Sequence, residues 1–198
     1  MKKLFILVAV LLFAASSAFA QFNLGGHAAA NFSSLYGDDT DDVPWGLGFN
    51  AGVAAKIGIA GIIAVAPEVD FDMRRQSDDD ATWTTLALEI PILARINVLP
   101  ILFIEAGPQI AFLLSSKQEV EFAGETITTD YGDLDMLNTF EFGLAAGVGF
   151  SVLPSLDVNF RSVFGLTSIV DGKDMLGNDI DVDIKHIQFQ VGATYWFM

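Results

Sequence analysis

At 198 residues the chain has room for one domain with a full core, and too little for two comfortable ones. A net charge of −15 excludes the basic footprint of a nucleic-acid binder, and the lack of cysteine excludes disulfide frameworks and thiolate metal sites. Apolar residues make up 52% and mean hydropathy is +0.47, yet past residue 20 no apolar run reaches the roughly 18 residues of a helical span.

Residues 1–20 read as a secretory leader that is cleaved. Lys2 and Lys3 precede an unbroken apolar run from Leu4 to Ala15, and Ala18-Phe19-Ala20 supplies an Ala-x-Ala site before Gln21. That run falls short of the roughly 20 residues of a spanning helix, which weighs against a retained anchor. Losing two lysines takes the net charge of the mature domain, residues 21–198, to about −17.

Eight segments then show a period of two, the signature of half-buried strands. Phe22–Ser34 sets Phe22, Leu24, Ala28, Ala30 and Phe32 against Asn23, His27, Asn31 and Ser33. Leu47–Gly58 sets Leu47, Phe49, Ala51, Val53 and Ile57 against Asn50 and Lys56. In Ile62–Arg74, Ile63, Val65, Val69, Phe71 and Met73 alternate with Glu68, Asp70, Asp72 and Arg74. Trp83–Asn97 opposes Leu86, Leu88, Ile90, Ile92 and Ile96 to Glu89 and Arg95. Ile101–Ser115 opposes Leu102, Ile104, Ile110, Phe112 and Leu114 to Glu105 and Gln109. Thr139–Val152 places Phe140, Phe142, Leu144, Val148 and Phe150 opposite Glu141 and three glycines. Leu156–Ser168 places Leu156, Val158, Phe160, Phe164 and Leu166 opposite Asp157, Asn159 and Arg161. Last, Ile184–Phe197 carries Ile187, Phe189, Val191, Tyr195 and Phe197 opposite His186, Gln188 and Gln190.

Eleven charges, from Lys56 to Arg161, fall inside the first seven segments, each on the less apolar face. Lys185 is the exception, at a strand start where a long side chain reaches the interface. Connections alternate in length. Gly58–Gly61, Asn97–Pro100 and Leu153–Ser155 are short, whereas Leu35–Gly46, Arg75–Thr82, Ser116–Asn138 and Ile169–Asp183 are long and hold 18 of the 25 acidic residues. The pattern predicts an all-β, eight-stranded antiparallel up-and-down transmembrane barrel, with short periplasmic turns and long acidic extracellular loops.

A soluble lipocalin-like barrel, with its apolar face turned inward, would alternate in the same way. The composition of the polar face argues against it, because Gly25, Ala29, Gly52, Gly143, Ala145, Gly147, Gly149, Gly165 and Gly192 suit a crowded lumen better than a solvated exterior. Bulky residues on the other face, with aromatics near strand ends, suit lipid and its interfaces.

Several stretches resemble a known family. Asn31-Phe32-Ser33, Ala66-Pro67-Glu68-Val69-Asp70-Phe71, Leu88-Glu89-Ile90-Pro91-Ile92-Leu93, Glu105-Ala106-Gly107-Pro108 and Gly143–Gly149 are similar to strands of the PorT-like outer-membrane β-barrel proteins. The Glu-Ile-Pro strand is the most specific of these, and the resemblance covers residues 21–198. It implies outer-membrane residence in a Gram-negative envelope and, for most members, no enzyme activity; a link to type IX secretion does not carry over from barrel motifs. Contact with lipopolysaccharide and with the barrel-assembly machinery is expected of such a protein. One departure is the C-terminus, where Met198 follows Phe197 instead of an aromatic ending the chain.

The candidate site is a lumenal charge network of Lys56, Glu68, Asp70, Asp72, Arg74, Glu89, Arg95, Glu105, Glu141, Asp157 and Arg161. An ion-pair network filling a narrow lumen explains these residues better than a polar pathway does. His27 and His186 also point inward, but pairing of the first and last strands sets His186 near Ser33, roughly 20 Å from His27, and no Ser-His-Asp/Glu constellation forms. We therefore expect no catalytic residues, cofactor or metal ligands. Asp179, Asp181 and Asp183 alternate, but Ile184 stands where an EF-hand loop needs glycine. The acidic loops, including Asp38–Asp42 and Asp78–Asp80, read as solvated and self-repelling, with weak divalent-cation bridging as the sharper alternative. Ile127-Thr128-Thr129 would extend a hairpin beyond the membrane. Function then divides between a structural or interaction protein at the cell surface and a passive small-solute channel.

Overall fold

The computed structural model describes residues 22–38, 40, 43–77, 81–122, 125–130, 139–169 and 183–197. Residues 1–20, expected to be a leader, and much of the acidic loop sequence, including Asp39, Asp41, Asp42, Asp78–Asp80, Asp179 and Asp181, lie outside these, as does Met198. The strands are β1 (Phe22–Tyr36), β2 (Gly46–Ala60), β3 (Ile63–Ser77), β4 (Ala81–Leu99), β5 (Leu102–Phe122), β6 (Glu125–Asp130), β7 (Phe140–Leu153), β8 (Leu156–Gly165) and β9 (Lys185–Trp196).

Eight of them form a closed antiparallel ring in the order β4-β3-β2-β1-β9-β8-β7-β5, with β5 pairing back onto β4. The seam between first and last strands is continuous from Gly25↔Trp196 to Tyr36↔Lys185. Closure leaves no open edge in the ring, which is what lets a sheet cross a bilayer, where unpaired backbone groups find no water.

Alternation along each strand decides inside from outside. In β3 every second residue from Ala64 to Gln76 is buried, and those between are wholly or partly exposed. The exposed positions around the ring are large and apolar: Leu47, Phe49, Phe71, Ile104, Phe150, Phe160 and Val191 among them. An aromatic ladder runs across this outer surface, with Phe32 stacked on Trp45 at 4.9 Å, Trp45 on Phe189 at 5.5 Å and Phe189 on Phe160 at 6.3 Å. Buried positions are mostly polar or small, and the apolar cluster among them is Ala66, Leu93, Ala145 and Val163. This arrangement is the inverse of a lipocalin-like carrier.

Strand ends differ from the sequence expectation by a few residues. Short turns contract to Gly61-Ile62, Pro100-Ile101 and Pro154-Ser155, and the ladders adjoining them slip by one residue at Gly58/Ala60, Asn97/Leu99 and Ser151/Leu153. Gly61 takes φ +50°, a left-handed conformation that costs glycine nothing. Within Ser116–Asn138 the hairpin expected around Ile127-Thr128-Thr129 is present: β5 continues to Phe122 and β6 pairs with it from Lys117↔Asp130 to Phe122↔Glu125. A bulge marks the departure: Leu86 pairs with Ser115 but Ala87 with Leu113, so Leu114 is extra.

Candidate functional site

All eleven predicted charges project into the lumen, and ten of them are buried; Lys56 is half-buried at the short-turn end. They fall into three groups along the barrel. Nearest the long loops, Arg74 donates Nε to Asp72 Oδ2 at 2.7 Å, Nη2 to Glu89 Oε1 at 2.8 Å and Nη1 to Glu141 Oε2 at 3.0 Å. One guanidinium thus joins carboxylates from β3, β4 and β7. Asp72 Oδ1 also accepts from Asn31 Nδ2 and, at 3.1 Å, from Gln188 Nε2.

Arg161 centres the middle group. Its Nη1 and Nη2 fork onto Glu68 at 2.7 and 3.0 Å, and Nη2 and Nε reach Glu105 Oε1 at 2.8 and 3.2 Å. Planar, bidentate pairing of this kind fixes orientation as well as charge. At the short-turn end Arg95 Nη1 donates to Asp157 Oδ2 at 2.7 Å, and Lys56 Nζ stands 3.9 Å from the same oxygen. Asp157 further accepts from Trp196 Nε1 at 2.8 Å and Ser151 Oγ at 2.7 Å. The Arg95 guanidinium lies over the Phe103 ring, 3.4 Å from its centre, and Lys56 lies 4.4 Å from the Trp196 ring centre.

Trp196, Phe103 and Ser151 were not singled out from the sequence. For the first two the signal was available in parity: Trp196 lies between outward Tyr195 and Phe197, and Phe103 between outward Leu102 and Ile104. Phe103 pairs across strands with Gly149, and a Cβ there would lie 2.1 Å from the ring, so the glycine is the space the ring fills.

The histidines require two corrections. His186 pairs with Leu35, not Ser33, while His27 pairs with Thr194, so the two stand about 27 Å apart along the strand at the usual rise. His27 also acquires acidic neighbours: Nδ1 is 3.4 Å from Asp70 Oδ1 and 4.0 Å from Glu68 Oε2. Strand pairing alone hides this, because β2 intervenes between β1 and β3. The residue between them is Gly52, paired to His27 on one side and to Asp70 on the other, and its missing side chain lets them meet.

A closed barrel with a bulky apolar exterior and a charged, hydrogen-bonded interior defines an integral outer-membrane β-barrel protein. The family model described as outer membrane protein beta-barrel domain matches residues 14–171, and the chain belongs to that family. Among solved structures it is similar in fold to Neisserial surface protein A, at 12% identity and TM-score 0.52, covering 88% of this chain and 96% of that one. It is equally similar to Ail, the attachment invasion locus protein of Yersinia pestis, at 12% identity and TM-score 0.52, covering 89% and 99%. No curated protein matches. The protein resides in the outer membrane.

Proposed function

We propose that the protein is a structural and interaction barrel of the cell surface, whose lumen is closed by its ion-pair network and does not conduct solutes. The observation that carries this is Arg161, 1% exposed, reaching from β8 to Glu68 on β3 and Glu105 on β5. A guanidinium held between opposite walls occupies the path a solute would take, and eight strands leave little room beyond side chains. Burial of His27 and His186 supports a non-enzymatic role, since a substrate would have no approach to either ring.

Within the family, we favour the PorT-like group on the strength of the Pro67-Glu68 and Glu89-Ile90-Pro91 strands. In this reading residues 1–20 are the cleaved signal peptide, and the mature barrel is inserted by the barrel-assembly machinery into a Gram-negative outer membrane facing lipopolysaccharide. Ail has been crystallised with the heparin analogue sucrose octasulfate, a polyanion. Here the acidic loops favour cationic partners instead, divalent cations bridging to lipopolysaccharide included.

Single-channel recording in planar bilayers tests the closed lumen. The expected record shows no resolved openings; discrete, reproducible openings would favour the small-solute channel.

A further inference from the structure

Of the 25 acidic residues, the seven outside the long connections all lie in the lumen, where four cations oppose them. With both histidines neutral, three negative charges remain uncompensated among the described lumenal residues. Buried charge of one sign is costly unless something positive accompanies it. The deficit is local. At the short-turn end Lys56 and Arg95 stand against Asp157, with Glu105 shared between Arg95 and Arg161, whereas Asp70 pairs with no arginine and lies directly opposite Glu89 across β3 and β4.

The hydrogen-bonding demands of His27 point to the same place. On the Nδ1 side stand two carboxylates, Asp70 at 3.4 Å and Glu68 at 4.0 Å. On the other side Nε2 has no hydrogen-bond partner, and neither has Asn159 Oδ1. A Cβ at Gly192 would lie 2.6 Å from Asn159 Oδ1 and 2.8 Å from His27 Nε2, so both orphan atoms face one gap. The amide oxygen is turned that way because Asn159 Nδ2 donates to Glu105 Oε1 at 3.4 Å. A neutral imidazole offers one N–H and one lone pair; here two carboxylates stand at Nδ1, while Nε2 faces a gap and no partner. With the proton on Nε2 the Nδ1 lone pair confronts carboxylate oxygens, and with it on Nδ1 the Nε2 lone pair is left buried without a partner. A cation on Nδ1 turns that lone pair and the two carboxylates into ligands of one ion, with Nε2–H toward the gap beside Gly192.

We propose that His27 Nδ1, Glu68 and Asp70 bind one divalent transition-metal ion of the zinc class inside the barrel. All three residues are at least 95% buried, and their ligand atoms lie within 4.8 Å of one another. A tetrahedral zinc ion with nitrogen and carboxylate ligands requires edges of about 3.3–3.5 Å, against 3.4 and 4.0 Å from Nδ1 to Asp70 and Glu68 here. The imidazole selects against calcium and magnesium, which prefer all-oxygen shells. Arg161, which holds both oxygens of Glu68, is an outer partner of the kind that orients ligating carboxylates. No spacing along the chain announces the site, because β1 and β3 contribute its ligands across Gly52.

The ligands are sealed, so the ion enters as the barrel folds. The test refolds the full mature chain from urea into detergent with zinc or with chelator, washes with chelator, and measures retained metal and the urea midpoint. We expect near-stoichiometric zinc and a higher midpoint for zinc-refolded wild type, with both effects lost in His27→Gln and Asp70→Asn. A heat-dependent gel shift verifies that the variants fold. Should neither fold, wild type alone decides: equal zinc content and midpoint after zinc and chelator refolding overturns the site. Ring-nitrogen NMR showing both His27 nitrogens protonated after zinc refolding would also overturn it, by making the missing positive charge a proton. Conductance plays no part in these readouts, so they are independent of whether the lumen is closed.

Discussion

Arg161 and Glu68, 93 positions apart in sequence, meet inside the barrel through two hydrogen bonds of 2.7 and 3.0 Å. Between them lies the width of the lumen, with Glu105 held by the same guanidinium. The pair binds β8 to β3, strands that share no backbone ladder. Side chains, not only hydrogen-bonded neighbours, therefore tie opposite walls together.

Replacing Arg161 by Met leaves Glu68 and Glu105 buried without their main partner, at an expected cost of about 3–5 kcal/mol. Adding Glu68→Gln should recover part of the loss and not all, since of its two cations Glu105 then keeps only Arg95, 3.6 Å away. Urea unfolding in detergent micelles measures both; a midpoint for Arg161→Met within error of wild type would remove the network from the account of stability.

Gly149→Ala should destabilise through one ring. The new methyl would stand 2.1 Å from Phe103 Cζ, and moving that ring disturbs the Arg95 guanidinium stacked on it. We expect about 1–3 kcal/mol, the usual range for overpacking. Adding Phe103→Leu should relieve most of the clash, and failure to do so would place the strain elsewhere.

Trp196→Phe deletes the Nε1 donor to Asp157 and weakens the contact beneath Lys56. Hydrogen bonds to charged groups are worth about 1.5–3 kcal/mol, so a loss in that range is expected in equilibrium unfolding. Trp45→Phe, on the outer surface, should cost much less.

The same two tryptophans report on lipid. In single-tryptophan variants, Trp45 stacks against Phe32 and Phe189 on the outside and should be quenched by brominated acyl chains. Trp196 is buried in the lumen and should be nearly insensitive. Equal quenching would contradict the inside–outside assignment of β9.

Where a strand alternated cleanly, the sequence was a sufficient guide. Glu68, Asp70, Asp72 and Arg74 on β3 declare their face because lipid accepts one set of residues and a narrow lumen the other. Legibility was lower at the bounds of elements. Between Ser116 and Asn138 the sequence suggested a hairpin at Ile127-Thr128-Thr129 without its bounds, which the pairing from Lys117↔Asp130 to Phe122↔Glu125 sets. Turn ends were blurred as well, since a slip of one residue beside Gly61 or Pro154 leaves the apolar pattern intact.

By itself, then, the sequence determined that eight strands alternate and which face of each meets lipid, because a strand's side-chain period is local and the two environments differ sharply. Which charges become partners was decided only in three dimensions. The seam of β1 and β9 closes two residues away from the simplest pairing, carrying His186 to Leu35, and glycines on intervening strands open contacts that skip a neighbour, as Gly52 does for His27 and Asp70. Register across a closed ring depends on every strand's stagger at once, and no local pattern encodes that.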